Sequence, residues 1–400
     1  MSYSRLAPVR PPGRSVGARS TSGAASLRTS LLRRAVARDS PLRQLDWILL
    51  LTVLALCTIG TLLVWSSSPK SYLVKQAINI PIGLILLCLV TMLDYRQLRL
   101  FAPVLYGVSI LGLIAALSPL GTPVNGSKSW ITLPAGFQIE PSEYAKLAVI
   151  IVSATLLSDV RRSEARPQIR AALLTIACAA LPLVLIVKEP DLGVTVLMVV
   201  LLFGMIALSG IKLRWLALIV GGSAFGVWSV IHLHLLRAYQ ASRITSFFNP
   251  TANPQGAGYN AAQAKLAVGS GGLFGQGLFH GQLVHGNFIP EQNTDFIFAV
   301  AGEELGFVGA VVIIGLIAIL LLRALRIAAR ADDQFGMLVA CGIAIWFAVQ
   351  TFINVGMTIG IMPVTGLPLP FVSYGGSAMF ADMIAMGVLQ TVHRHHTVFT

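Results

Sequence analysis

Continuous apolar stretches dominate the chain, and the two-residue alternation expected of membrane-barrel strands is absent. Ten stretches stand out, at 47–66, 76–93, 100–118, 143–158, 171–187, 191–209, 215–234, 303–322, 337–359 and 374–391. Each approaches the ~20 residues that carry a helix across a bilayer core. The fourth is short, and the eighth has room to begin several residues earlier. Helices satisfy their own backbone hydrogen bonds in lipid, so the pattern predicts an all-α polytopic membrane protein with ten transmembrane helices. Residues 46–392 would form this membrane domain, with 393–400 as a short cytoplasmic tail. Residues 1–45 are rich in Arg, Ser, Ala, Pro and Gly and bury too little to fold alone. They are expected to be a disordered basic cytoplasmic tail lying near anionic lipid heads, or a docking site for a cytoplasmic partner.

Composition excludes a soluble reading. Apolar residues make up 55% of the chain and charged residues 11%, with a mean hydropathy of +0.77; soluble proteins carry about 25% charged residues. A net charge of +13 would suggest nucleic acid on a soluble surface, but its placement says otherwise. Of the 29 Lys and Arg, 21 fall in the two tails and the loops after even-numbered stretches, and 7 in the loops after odd-numbered ones. The positive-inside rule therefore places both termini in the cytoplasm, and no nucleic-acid partner is expected. The four cysteines all lie inside apolar stretches without zinc-like spacing and read as small core residues.

Two outer loops depart from short connectors: about 119–141, and about 235–294 between the seventh and eighth helices. The longer one carries many aromatic residues and is expected to pack as short helices and re-entrant pieces. Its run Gly269–Gly277 serves equally as a flexible loop or as a backbone cradle for an anion. Arg243 and Lys265 flank that run as outer cations able to meet a diphosphate. Asp295 sits where the loop meets an apolar run. Partial desolvation there would make it a better base, while its bland alternative is a cap for the eighth helix. Glu143 and Lys146 are spaced to share one helix face inside the membrane, as a functional pair or a local structural one. Asp191, in a tight outer turn, either caps the sixth helix or joins the site. Glu303, Glu304 and Asp382 read as network residues. No set of side chains is spaced as a dedicated metal site.

Several motifs occur in order: Asn125-Gly126-Ser127-Lys128-Ser129-Trp130-Ile131, Glu140-Pro141-Ser142-Glu143 with Lys146, Glu189-Pro190-Asp191-Leu192-Gly193, and Gly256-Ala257-Gly258-Tyr259. They continue with Ala267–Gly272, Pro290–Phe298, Gly302-Glu303-Glu304-Leu305-Gly306 and Pro368–Ser377. This set resembles the SEDS family, the RodA/FtsW/SpoVE glycosyltransferases that polymerise lipid II into peptidoglycan strands. The resemblance implies ten helices with both ends inside, in the bacterial plasma (inner) membrane. It implies Asp295 as the catalytic carboxylate and places Trp130, Glu143, Lys146 and Asp191 at positions that matter for activity or for a central cavity. Lys128, Arg243, Lys265, Glu291 and Ser373 complete the expected substrate contacts. Ser129 stands where Arg is common, Glu140 and Glu189 where Gln is common, and Asn293 where His is common.

On this reading Asp295 takes the proton of the acceptor 4-hydroxyl while the diphosphate leaves, met by cations and backbone N–H groups. A divalent cation (Mg2+ or Mn2+) could assist. The implied partners are lipid II, membrane lipids and a class B penicillin-binding protein. Gly275–Gly281 looks more like RodA than FtsW, which points to cell elongation. A lipid II flippase, a non-catalytic scaffold for a transpeptidase, and a division or sporulation paralogue are the alternatives.

Overall fold

The computed structural model describes residues 44–124, 127–132, 138–158, 169–232 and 257–398. Residues 1–43, which hold almost all of the basic tail, lie outside them. Three helices open the membrane unit: α1 (Trp47–Ser67), α2 (Lys70–Met92) and α3 (Tyr95–Leu117). Asp46 and Asp94 cap α1 and α3, their carboxylates accepting the N–H groups of Leu49 and Arg96. A small antiparallel sheet follows, β1 (Gly121–Val124), β2 (Ser127–Thr132) and β3 (Gln138–Ile139), in the order β1-β2-β3. It occupies the loop after α3, where the sequence predicts only a longer connector.

Next come α4 (Pro141–Ser158), α5 (Ile169–Lys188), α6 (Leu192–Leu208) and α7 (Leu213–His232). The described part of the long loop holds α8 (Ala257–Ser270) and the one-turn α9 (Gln282–His285). Then follow α10 (Ile297–Glu304), α11 (Gly306–Ala329), α12 (Gln334–Ile359) and α13 (Gly376–Val398). Among the described residues, nine of the ten apolar stretches thus fall mainly on a single helix, and the eighth is shared between α10 and α11. Among the described residues, six helices are both long and apolar enough to cross a membrane: α1, α2, α3, α5, α11 and α12.

Two boundaries differ from expectation. The eighth stretch is broken, because Gly306 adopts φ 67° and separates α10 from α11. α13 runs on through Val398, so residues 393–398 of the expected tail continue the helix. His395 Nε2 lies 3.1 Å from an Asp94 oxygen, and Arg394 donates to the Thr91 carbonyl, which ties that end to α2 and α3.

Burial sorts the helices into centre and rim. In α4, 13 of 18 residues are buried, and α12 is similarly enclosed. α2, α3, α5 and α11 turn most of their apolar side chains outward, as helices facing lipid do. Cys88, expected in the core, is on such an outward face, whereas Cys57 and Cys341 are buried. At the start of α1, Asp46 pairs with Arg323 of α11 and is bracketed by Gln390 of α13, which accepts its N–H at 2.9 Å and donates to its carbonyl at 3.0 Å.

Candidate active site

The enclosure of α4 and α12 buries a polar network between them. Glu143 and Lys146, one turn apart on α4, form an ion pair of 2.7 Å with both side chains excluded from solvent. The Lys146 ammonium also donates to Gln350 Oε1 on α12 at 3.1 Å and lies 4.6 Å from the Trp346 ring centroid. Trp346 Nε1 donates to the same Gln350 oxygen, and Gln350 Nε2 donates to the Pro368 carbonyl. A buried charge pair persists only where such extra hydrogen bonds offset desolvation.

One turn further along α12, Asn354 carries the network to the segments around Asp295 and Leu367. Its Nδ2 donates to the carbonyls of Asp295 and Leu367, both at 2.8 Å. Asp295 also lies within a wound turn: the Glu291 carbonyl accepts the N–H groups of Thr294, Asp295 and Phe296 at 3.1–3.2 Å. The turn needs φ 50° at Glu291, a left-handed conformation that a side chain disfavours. Asp295 does not cap the following helix, whose N-cap is Phe296 with no side-chain cap bond. Its carboxylate remains half-buried, and a methyl group at Gly366 would stand 3.4 Å from Oδ2. Ser373 helps hold the turn, its hydroxyl donating to the Thr294 carbonyl at 2.6 Å and accepting the Leu369 N–H at 2.8 Å.

Asp191 performs the bland role. It caps α6, accepting the Val194 N–H at 3.0 Å. It nonetheless lies at the same centre, because the first turn of α6 packs on the 365–367 segment: a methyl group at Gly193 would stand 3.0 Å from the Thr365 carbonyl. Glu140 and Glu189 border it. Burial pushes the Glu189 carboxyl up to about 8, with the Asp191 charge adding to the effect. Burial followed by the charges of Glu143 and Asp191 raises Glu140. Trp130 and Lys128 sit on β2; the Trp130 backbone faces Thr122 of β1, and the Lys128 side chain is exposed. β2 pairs with β3, which leads directly into Glu140.

Two expectations change. The glycine run is a packing seam rather than an anion cradle: the N–H groups of Gly275, Gln276 and Gly277 already donate to the carbonyls of Gly271, Glu303 and Glu304. A Cβ at Gly271 or Gly275 would collide with the backbone at Gly302 and Glu304. The backbone that looked free to meet a phosphate is therefore spent on the α10–α11 break. Lys265 lies against Gly360, the left-handed residue that ends α12, where its ammonium complements the helix's negative end. Arg243 lies outside the described residues.

Glu303 and Glu304 are network residues, as expected. The Glu303 carboxylate accepts the N–H groups of Leu283 and Val284, and Glu304 accepts the Ser66 hydroxyl. Trp346, Gln350 and Asn354 were missed. The usable signal was two amides four residues apart in an otherwise apolar stretch, a spacing that puts both on one helix face. Among the described residues, no three His, Cys, Asp or Glu side chains are arranged to hold a metal ion.

The profile of the cell cycle protein family FtsW/RodA/SpoVE matches residues 45–398. The chain belongs to that family. It is 35% identical to the peptidoglycan glycosyltransferase MrdB of Escherichia coli over 89% of this chain and 95% of the relative. It is 33% identical to the peptidoglycan glycosyltransferase RodA of Treponema pallidum, covering 87% and 97%, and 36% identical to the stage V sporulation protein E of Bacillus subtilis, covering 88% and 97%. Among solved structures, a chain of a peptidoglycan synthase complex that coordinates polymerisation and crosslinking aligns with a TM-score of 0.76 at 30% identity, covering 88% of this chain and 98% of that one. Rod shape determining protein RodA of Thermus thermophilus aligns with 0.66 at 28%, covering 88% and 97%. The chain is a multi-pass membrane protein and a peptidoglycan glycosyltransferase of the SEDS family.

Proposed function

We propose that the protein polymerises lipid II into β-1,4-linked glycan strands and releases undecaprenyl diphosphate, with Asp295 as the base. The observation that carries this reading is the placement of Asp295. Its backbone is fixed by Asn354 and by the Glu291 turn, its carboxylate is half-buried, and α12 links it to the buried Glu143–Lys146 pair. The donor's α-linked diphosphate becomes a β-linkage, so one carboxylate is needed to take the acceptor 4-hydroxyl proton as the leaving group departs. Lys128 and Arg243 are the cations assigned to the diphosphate, with Lys265 nearer the end of α12. An Mg2+ or Mn2+ ion, if bound, would supply positive charge to the departing diphosphate.

Ten crossings with both termini in the cytoplasm fit the ten apolar helices and the 21-to-7 division of Lys and Arg. The site then opens outside the bacterial plasma membrane, where the growing strand lies. The relatives named MrdB and RodA support a role in cell elongation. The synthase complex among the structural relatives supports a class B penicillin-binding protein as partner, its single helix beside the outward apolar face of α11 and the exposed Phe352 of α12. Purified protein supplied with lipid II should form glycan polymer, and Asp295→Asn should abolish it without loss of fold. Movement of lipid II across liposomes with no polymer formed would favour a flippase instead.

A further inference from the structure

The outer half of α2 inverts the usual arrangement of polar and apolar groups. Between Lys70 and Ile80 the only buried residues are two amides, Gln76 and Asn79. Val74 and Ile78 of the same segment are 57% and 47% exposed. Gln76 has no solvent exposure, and neither its Oε1 nor its Nε2 meets a hydrogen-bond partner. An amide that is buried and unpaired is costly anywhere, and most of all in a membrane, so it calls for an explanation.

Its surroundings place it. The face of α2 that carries Gln76 and Asn79 continues to Gly83, where a methyl group would meet Met383 Cγ at 2.8 Å, so this face abuts α13. Asn79 lies under Gly376, where a methyl group would stand 3.2 Å from Nδ2. One turn on the other side of Gln76, the Tyr72 ring meets that of Tyr374, with centroids 4.9 Å apart. Gln76 therefore lies between two contacts with the start of α13, at Tyr374 and Gly376. The Tyr374 N–H in turn donates to the Asn293 carbonyl at 2.9 Å, two residues from Asp295. The next residue of α13, Ser377, exchanges hydrogen bonds with the Glu140 backbone.

The outer part of the α2–α13 seam thus holds neutral amides, ends near the turn that bears Asp295, and is backed by the outward apolar face of α2 itself. Pro81 lies just inside the amides and removes the N–H that would bond the Ala77 carbonyl, so the outer segment has a weak point about which to move. We propose that the outer half of α2 separates from α13 about Pro81, and that Gln76, with Asn79, then hydrogen-bonds the sugar of the lipid-linked substrate entering from the bilayer. Neutral amides that both donate and accept suit the hydroxyl and acetamide groups of a saccharide, whereas a diphosphate would call for cations. In the closed seam the Gln76 amide is unsatisfied, and substrate supplies the missing partners.

The inference rests on the glycosyltransferase reading. Its test is direct binding of fluorescent lipid II to the full chain in nanodiscs. Polymerisation by the wild type in the same preparation reports on the activity separately. Gln76→Met keeps the length of the side chain and removes the amide. It should weaken the Kd by about tenfold, the equivalent of a lost hydrogen bond or two, while the thermal midpoint stays level or rises. Gln76→Leu serves if the Met variant fails to accumulate. Pro81→Ala restores the helix hydrogen bond and should slow association. A Kd within twofold of the wild type, or weakened binding that tracks a fallen thermal midpoint, overturns the role of the amide. Association at the wild-type rate for Pro81→Ala overturns the hinge.

Discussion

Asn354→Leu isolates what holds the turn that bears Asp295, the proposed base, in place. The substitution keeps the branching and number of side-chain heavy atoms and removes the Nδ2 that donates to the Asp295 and Leu367 carbonyls. Leu367 is 1% exposed, so its carbonyl is left without that donor, at a cost of about 1–3 kcal/mol. Asp295 is half-buried, and water can replace much of what its carbonyl loses. Stability should therefore fall by roughly one such penalty rather than two. The effect on rate should be larger. Asp295 would lose the bond that ties its carbonyl to α12, and a displacement of about 1 Å at a reacting group costs on the order of a hundredfold. Initial polymerisation rates across a lipid II titration, taken well below the thermal midpoint, should show kcat reduced by this order and KM little changed. An Asn354→Leu protein that loses stability yet keeps wild-type kcat would show that Asn354 braces the fold and does not position the base.

Two further predictions follow from the buried charges. Lys146→Met leaves Glu143 buried and unpaired and should cost about 3–5 kcal/mol; Glu143→Gln in the same chain should restore most of the thermal midpoint, and a double variant no more stable than the single one would show that the pair is not the unit of stability. Glu189, pushed up to about 8, holds a proton in the fold that the unfolded chain gives up in the ordinary carboxylate range. Its contribution is therefore full at low pH and lost as the pH rises toward about 8, by at most ~1.4 kcal/mol per pH unit. Glu189→Gln should raise the thermal midpoint more at alkaline than at mildly acidic pH, and an equal change at both would contradict the shift.

The helices were legible because a bilayer demands a continuous apolar run, and such runs need no knowledge of tertiary contacts. The break at Gly306 was not, since a run of apolar residues looks the same whether or not one glycine inside it turns left-handed. The β1–β3 sheet was missed because strands of two to six residues leave too short an alternation to read. Within the site, Asp295, Glu143 and Lys146 stood out as ionisable groups beside or inside apolar sequence. The glycine run was open to misreading because the absence of a Cβ serves a phosphate cradle and a close backbone packing equally. Only the carbonyls of Glu303 and Glu304, each 27 residues beyond the N–H group it accepts, decide between them. Gln350 and Asn354 were visible as paired amides, but which loop they hold depends on the fold of the α12–α13 connection.

The most direct test of the account is the rate of glycan polymer formation from lipid II by Asp295→Asn protein in nanodiscs, with lipid II binding measured in the same sample. The account predicts that binding persists near the wild-type Kd while polymer formation falls to background. Polymerisation by the variant at a rate close to the wild type would contradict the assignment of the base.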